Sequence, residues 1–454
     1  MKIRLDRNLW NRLQRKAEKR PLVRDTVTTS IWMVLGKSAG FLIPLFIAAW
    51  FGVNRETDSF FFVYGLVFFF SSILSVGTES IIVPFLAEKR ARDEDIGAFV
   101  GNLMGISGCA LAIITAVLIL LARPIFSILT QFDPATRSLS ARLFIEISPL
   151  IVLMFWSSVL AGAMNAFKRF SLHAFFPAVR AVIVLLWVFL MKDRFGMHAV
   201  AVAYTIGEAI RLFVYLCAIR RWKLFRIRMS LGIDSRLKAF THTAFFQLVA
   251  ITVGYMNPFI DKIMASWMGE GGVSVLHYAH RLYMIPTTLF TSGLLVTLLS
   301  HWSHKYYRIG PKQLRGDVRK ALRVVFIFAA PLCAGLILLH RPLIRLLFGW
   351  GRFDPGLHAQ LGWTWIAYLA GLIPFSLSQI YVNAHVIMKN TRILMRISFV
   401  VFLCNIVFNL ILMRLFQVAG LALATSGISL VSAVFFIMTF KRRLKTEESV
   451  FREE

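Results

Sequence analysis

Apolar runs of about 20 residues recur along this chain from residue 27 to residue 440, and they decide what it can fold into. An α-helix rising 1.5 Å per residue needs about 20 apolar residues to cross a hydrocarbon core of about 30 Å. Inside that core only helices or closed barrels satisfy every backbone N–H and C=O. Twelve helices are predicted, at 27–52, 59–86, 96–122, 141–163, 172–191, 199–219, 240–268, 274–300, 321–340, 361–388, 395–415 and 417–440. Hydrophobic residues make up 57% of the chain and charged ones 16%, where soluble domains carry roughly a quarter charged. The expected class is therefore an all-α polytopic membrane protein, which excludes a soluble enzyme. Cys109, Cys217, Cys333 and Cys404 fall singly inside predicted helices, so no disulfide framework or metal-ligand spacing emerges.

The net charge of +28 would suggest nucleic acid in a soluble protein. Here its placement sets topology instead. With both termini in the cytoplasm, and residues within three positions of a helix end counted with the adjoining segment, 36 of the 51 Lys and Arg fall in cytoplasmic segments and 10 in external ones, the positive-inside pattern. Clusters at Arg12–Arg24, Arg220–Arg228 and Lys441–Arg443 carry most of the bias, and anionic lipid headgroups are their expected partners. Residues 1–26 lack the short apolar core of a cleavable signal. They read as a basic amphipathic segment (Leu5, Leu9, Trp10, Leu13) along the inner surface.

Two halves of the sequence resemble each other at an offset near 220 residues. Arg123-Pro-Ile-Phe-Ser-Ile-Leu returns as Arg341-Pro-Leu-Ile-Arg-Leu-Leu, and Phe132-Asp-Pro as Phe353-Asp-Pro. Ala199-Val-Ala-Val-Ala-Tyr-Thr205 returns as Ala419-Gly-Leu-Ala-Leu-Ala-Thr425. Six helices per half give both halves the same orientation, hence a parallel repeat with a substrate path between lobes. The expected organisation is a lobe at 27–221, a basic linker at 222–239, a second lobe at 240–443 and a tail at 444–454. Loops are short throughout, which favours transport over a membrane-embedded glycan polymerase or ligase.

Charges inside the membrane need a partner or a wet cavity, since each costs about 2.5–3.5 kcal/mol on insertion scales. Lys37 and Arg281 together suit an anionic headgroup; snorkelling or local pairing is the alternative. Glu79 either neutralises Lys37, carries a proton or pairs structurally. Glu208 and Arg211, three apart, pair with each other, and Arg180 reads as lying near a cytoplasmic helix end. His277 and His280 read as hydrogen-bonded helix contacts. Asp261, Asn405, Asn409 and Thr425 supply one carboxylate and several neutral oxygens, which suits sodium; interhelical hydrogen bonding is the alternative.

These motifs resemble the MurJ (MviN) lipid II flippases. The similarity lies in Phe51-Gly-Val-Asn-Arg-Glu-Thr-Asp58-Ser-Phe-Phe, Val83-Pro-Phe-Leu-Ala-Glu88, Asp261-Lys-Ile-Met-Ala-Ser266, Gly272-Val-Ser, Tyr278-Ala-His-Arg281-Leu with Pro286, Gly349-Trp-Gly-Arg-Phe353, and Asn405, Asn409, Gly420 and Thr425. It covers essentially residues 24–443. The resemblance implies the multidrug/oligosaccharidyl-lipid/polysaccharide exporter fold, with two six-helix lobes and alternating access. It implies a sodium site at Asp261, Asn405, Asn409 and Thr425, with Asn409 where some members have aspartate. It also implies diphosphate binding by Arg281 and by Lys37, which stands at a family arginine position. Asp58, Glu79 and His280 are further cavity or coupling candidates, His280 standing where an acidic residue is common. Ile43-Pro44 and Ser71-Ser72 replace charged pairs of the family, and the chain ends after the twelfth helix where such flippases usually carry two more.

The expected function is flipping of an undecaprenyl-diphosphate-linked glycan, lipid II or a related envelope precursor, across a bacterial inner membrane. No cofactor is expected beyond a candidate sodium ion, and no nucleic acid. Cytoplasmic cell-envelope synthesis enzymes are candidate partners of the basic face. A cation-coupled drug or metabolite exporter of the same superfamily is the nearest rival.

Overall fold

In the computed structural model, the described residues are 36, 39–92, 94–167, 169–228, 235–289, 302, 306, 311–388 and 390–453. Lys37 and the amphipathic segment 1–26 lie outside them. Among the described residues the chain is helical, with no strand. The helices are α1 (Ala39–Phe51), α2 (Arg55–Ala91), α3 (Ile96–Leu120), α4 (Ala122–Leu129), α5 (Pro134–Ile147), α6 (Leu150–Ala166), α7 (Phe170–Phe195) and α8 (Met197–Arg221). There follow α9 (Ser235–Ala265), α10 (Gly272–Leu289), α11 (Pro311–Leu338), α12 (His340–Phe348), α13 (His358–Leu369), α14 (Leu372–Ile387) and α15 (Thr391–Glu453). Eight stretches among the described residues are long and apolar enough to cross a membrane. Large apolar side chains stand exposed along them, among them Val182, Leu186, Phe189 and Leu190 on α7 and Phe326, Ile327 and Phe328 on α11. Faces of this kind are at home in lipid rather than water.

Local chemistry explains where helices break. The fourth predicted span divides at Pro149, which has no N–H to continue the ladder, so α5 gives way to α6 at Ser148–Pro149. The tenth divides between α13 and α14 at Ala370–Gly371. The eleventh and twelfth spans run together as α15 across a kink at Gln417. Two short amphipathic helices, α4 and α12, occupy the repeated Arg-Pro motifs. The repeat also shows in the backbone: Gly196 (φ 55°, ψ −134°) and Gln417 (φ 51°, ψ −130°) adopt the same conformation at matching places.

Contacts divide the chain into two compact units, one within Met1–Ile43, Leu74–Thr115 and Pro149–Ala244, the other within Pro44–Ile73, Ala116–Ser148 and Phe245–Glu454. In the first, α7 and α8 pack along each other and on α6, around a core that includes Ile82, Val159, Phe176, Val184 and Tyr215. The second holds an aromatic core of Phe60, Phe61, Phe62, Phe126, Phe144, Tyr278, Phe348 and Phe353. Phe62 meets Phe126 edge-on at 5.8 Å, and Phe126 meets Phe144 at the same distance. Such pairs add about 0.5–1.5 kcal/mol each beyond area burial.

Candidate functional site

The second unit gathers three polar groups. The first is centred on Asp58 in the opening turn of α2, 1% exposed. Its carboxylate accepts from Gly271 N (2.6 Å), Ser274 N (2.8 Å) and Ser274 Oγ (2.6 Å). The two backbone donors are orphan amides at the N-terminus of α10, which carry partial positive charge. Asp58 is thus the cap of a helix more than 200 residues away, in the other half of the repeat. Around it, Arg55 bridges Glu270 (3.0 Å) and Asp133 (3.6 Å), Arg352 N donates to Ala49 O (2.7 Å), and Tyr278 Oη donates to Gly52 O (3.3 Å). The Thr136 hydroxyl, helped by Arg55, holds the Asp133 carboxyl below the usual carboxylate range. Turns from both halves of the repeat are stitched together here.

The second group is the predicted cation set, which the structure brings together. Asn409 Nδ2 donates to Asp261 Oδ1 (2.7 Å) and to Asn405 Oδ1 (3.2 Å), and Thr425 Oγ1 donates to Asp261 Oδ2 (3.2 Å). Asn405 and Asn409, one turn apart on α15, are fully buried, and Asn409 Oδ1 has no hydrogen-bond partner. A single carboxylate, amide oxygens and a hydroxyl are hard ligands matched to a monovalent cation, and the orphaned Asn409 oxygen is an acceptor free to turn toward one. The set fits sodium. Among the described residues no cluster of His, Cys, Asp and Glu suits a divalent metal.

The third group is basic. Arg281 is half-buried on α10, with Nε 3.5 Å from His277 Nε2. His277 stacks on Phe61 at 4.0 Å, and His280 packs edge-on against Tyr368 at 5.5 Å. Lys262, on α9, donates from Nζ to Phe61 O (3.1 Å) and lies 5.7 Å over the Tyr64 ring. These four groups lie within electrostatic range of one another, and among the described residues neither Lys262 nor Arg281 has a carboxylate within 4.0 Å. Lys262 was not singled out from the sequence, where its neighbour Asp261 drew the attention. Its signal was present: a lysine inside a predicted membrane helix.

The first unit holds a separate ionic cluster. Glu208, fully buried on α8, lies 3.3 Å from Arg211 and 3.5 Å from Arg180. The predicted Glu208–Arg211 pair is present, and Arg180 joins it rather than lying at a helix end. Glu79 accepts from Ser158 and lies within electrostatic range of Arg211, while His173 Nδ1 is 3.3 Å from Tyr215 Oη. Glu79 and the Asp58 group belong to different units.

Sequence comparison decides the family, for the model described as "Lipid II flippase MurJ" matches residues 47–452. The chain belongs to the MurJ lipid II flippase family. The MurJ lipid II flippase of Burkholderia cenocepacia is 26% identical over 438 residues, covering 93% of this chain and 84% of the relative. That of Thermosipho africanus is 24% identical over 422 residues, covering 92% and 85%. Among solved structures, a MurJ in the inward closed conformation aligns with a TM-score of 0.81 at 21% identity, covering 92% of this chain and 87% of that one. A multidrug resistance MATE transporter of the MOP superfamily, inward-facing, aligns at 0.74 and 14% identity, covering 92% and 96%. The fold of this chain is therefore that of the MurJ structure.

Proposed function

We propose that this multi-pass membrane protein flips an undecaprenyl-diphosphate-linked glycan, lipid II or a closely related envelope precursor, to the outer leaflet of a bacterial inner membrane. The observation that carries the reading is Arg281, an intramembrane cation with no carboxylate beside it among the described residues, in a chain of the lipid II flippase family. A guanidinium presents a planar fork of donors that matches phosphate oxygens. Lys37 is the partner assigned by resemblance. The polyprenyl tail stays in lipid while the headgroup crosses, and moving negative charge outward across an inside-negative membrane gains about 2.3 kcal/mol per charge per 100 mV.

With both termini cytoplasmic, the turns joined at Asp58 face outward. An outward opening that parted α2 from α10 would have to break the contacts of the Asp58 carboxylate with the α10 N-terminus. Hydrogen bonds to a charged group are worth about 1.5–3 kcal/mol each, so differential binding elsewhere must offset that loss. Asp261, Asn405, Asn409 and Thr425 would hold sodium, which supplies one positive charge against the Asp261 carboxylate. Tying α9 to α15 there favours whichever conformation keeps them together. The fold also serves multidrug transporters, but a basic site is a poor one for cationic drugs.

Native mass spectrometry of the purified protein tests the reading against lipid II, other undecaprenyl-diphosphate glycans and undecaprenyl phosphate, with Lys37→Ala and Arg281→Ala alongside. Selective retention of a diphosphate-linked glycan that weakens in Arg281→Ala is expected. Equal retention of every lipid by all three proteins would overturn it.

A further inference from the structure

We propose that Lys262 is a second phosphate-binding group, which works beside Arg281 and makes the site prefer a diphosphate to a monophosphate; this rests on the flippase reading above. Asp261 and Lys262 are neighbours in sequence, yet successive residues on a helix point about 100° apart. The Asp261 carboxylate turns to Asn409 and Thr425, while Lys262 turns to α2, where its polar contacts among the described residues are the Phe61 carbonyl and the Tyr64 ring face. Neither neutralises an ammonium. Among the described residues, the charged or titratable groups found in its electrostatic range are Arg281, His277 and His280, and no carboxylate lies within 4.0 Å of its ammonium. A lysine kept for structure alone would gain most beside a carboxylate; this one is held in a field that favours an anion.

The helix opposite is built to receive it. A Cβ at Gly65 would stand 2.5 Å from Lys262 Cδ and 2.8 Å from Nζ. Glycine inside an α-helix weakens it, and here its missing side chain is the space the lysine stem occupies. Lys262 is half-buried, and its ammonium has three donors, of which the Phe61 carbonyl takes one. A compact ammonium and a planar guanidinium in one basic group suit two adjacent phosphates: the fork takes one and the point charge the other.

The test is binding of undecaprenyl diphosphate and undecaprenyl monophosphate to the purified full chain in zwitterionic nanodiscs. Lys262→Met, Lys262→Arg, Gly65→Ala and Arg281→Gln are compared with the original protein, each first shown to be folded by its thermal transition. Lys262→Met is expected to weaken diphosphate binding about tenfold or more, the scale of one charge-assisted hydrogen bond. It should affect the monophosphate less, so that the preference narrows, while Lys262→Arg retains part of it. Gly65→Ala, which displaces the stem and leaves the charge, should narrow it too, and decides the matter if Lys262→Met does not fold. An unchanged preference in folded Lys262→Met or Gly65→Ala, with Arg281→Gln impaired, overturns the proposal and leaves the flippase reading standing. If the original protein binds neither lipid, both fall.

Discussion

At the scale of single residues, the same chemistry that makes a group functional makes it costly to disturb. If Asp261 holds sodium, the ion stabilises the folded state by mass action, about 2.7 kcal/mol at a hundredfold excess over Kd. The thermal midpoint should therefore rise in sodium chloride relative to choline chloride at equal ionic strength, and Asp261→Asn should abolish the rise. A sodium-dependent rise that survives the substitution would place the ion elsewhere. Glu208 is a second case, a fully buried carboxylate facing Arg180 and Arg211. Removing one member of a buried ionic group costs about 3–5 kcal/mol, so Glu208→Gln should lower the thermal midpoint sharply; an unchanged midpoint would mean the pairing contributes nothing. Asn405 with Asn409 and Glu208 with Arg211 were legible in the sequence, because spacings of three and four residues on a helix fix a common face. Asp261 and Thr425 were joined to the asparagines by their ligand chemistry and by the family resemblance. Arg180 and Lys262 were not legible, since their neighbours lie on other helices and no spacing rule reaches across.

At the scale of elements, the kinks and caps carry the testable content. Gln417 has a backbone conformation that its counterpart Gly196 adopts without steric cost. Residues held in such regions store about 1–3 kcal/mol, so Gln417→Gly should raise stability, and Gly196→Ala should lower it, in matched denaturation curves. No gain in the first would mean Gln417 carries no such strain. The cap of α10 gives the next test. Asp58→Ala leaves the Gly271 and Ser274 amides without their acceptor, a loss of about 1–2 kcal/mol by the scale of helix caps. Hydrogen exchange over residues 271–274 should then accelerate; unaltered protection would show that Asp58 does not hold the helix end. Most long helices were readable from apolar runs alone. The short helices α4 and α12 were not, being eight and nine residues long and amphipathic, although their Arg-Pro motifs had marked the repeat. Asp58 as a cap for α10 was invisible because capping patterns are local, and here donor and acceptor come from opposite halves of the chain.

At the scale of the whole molecule, the membrane class was legible in the recurring apolar runs and the repeat in the Arg-Pro, Phe-Asp-Pro and alanine-rich motifs, beside which Gly196 and Gln417 share a backbone conformation. What the sequence could not convey is which segments share a compact unit, since α2, α3 and α9 each contribute to both. The central claim is transport of a diphosphate-linked lipid, and reconstitution tests it most directly. Proteoliposomes carrying fluorescent lipid II in both leaflets would be treated with a membrane-impermeant quencher, with the original protein, Arg281→Ala or no protein. The account predicts that only the original protein exposes inner-leaflet lipid II to the quencher, beyond the half accessible from outside. Exposure no greater than in protein-free vesicles, or equal exposure with Arg281→Ala, would contradict it.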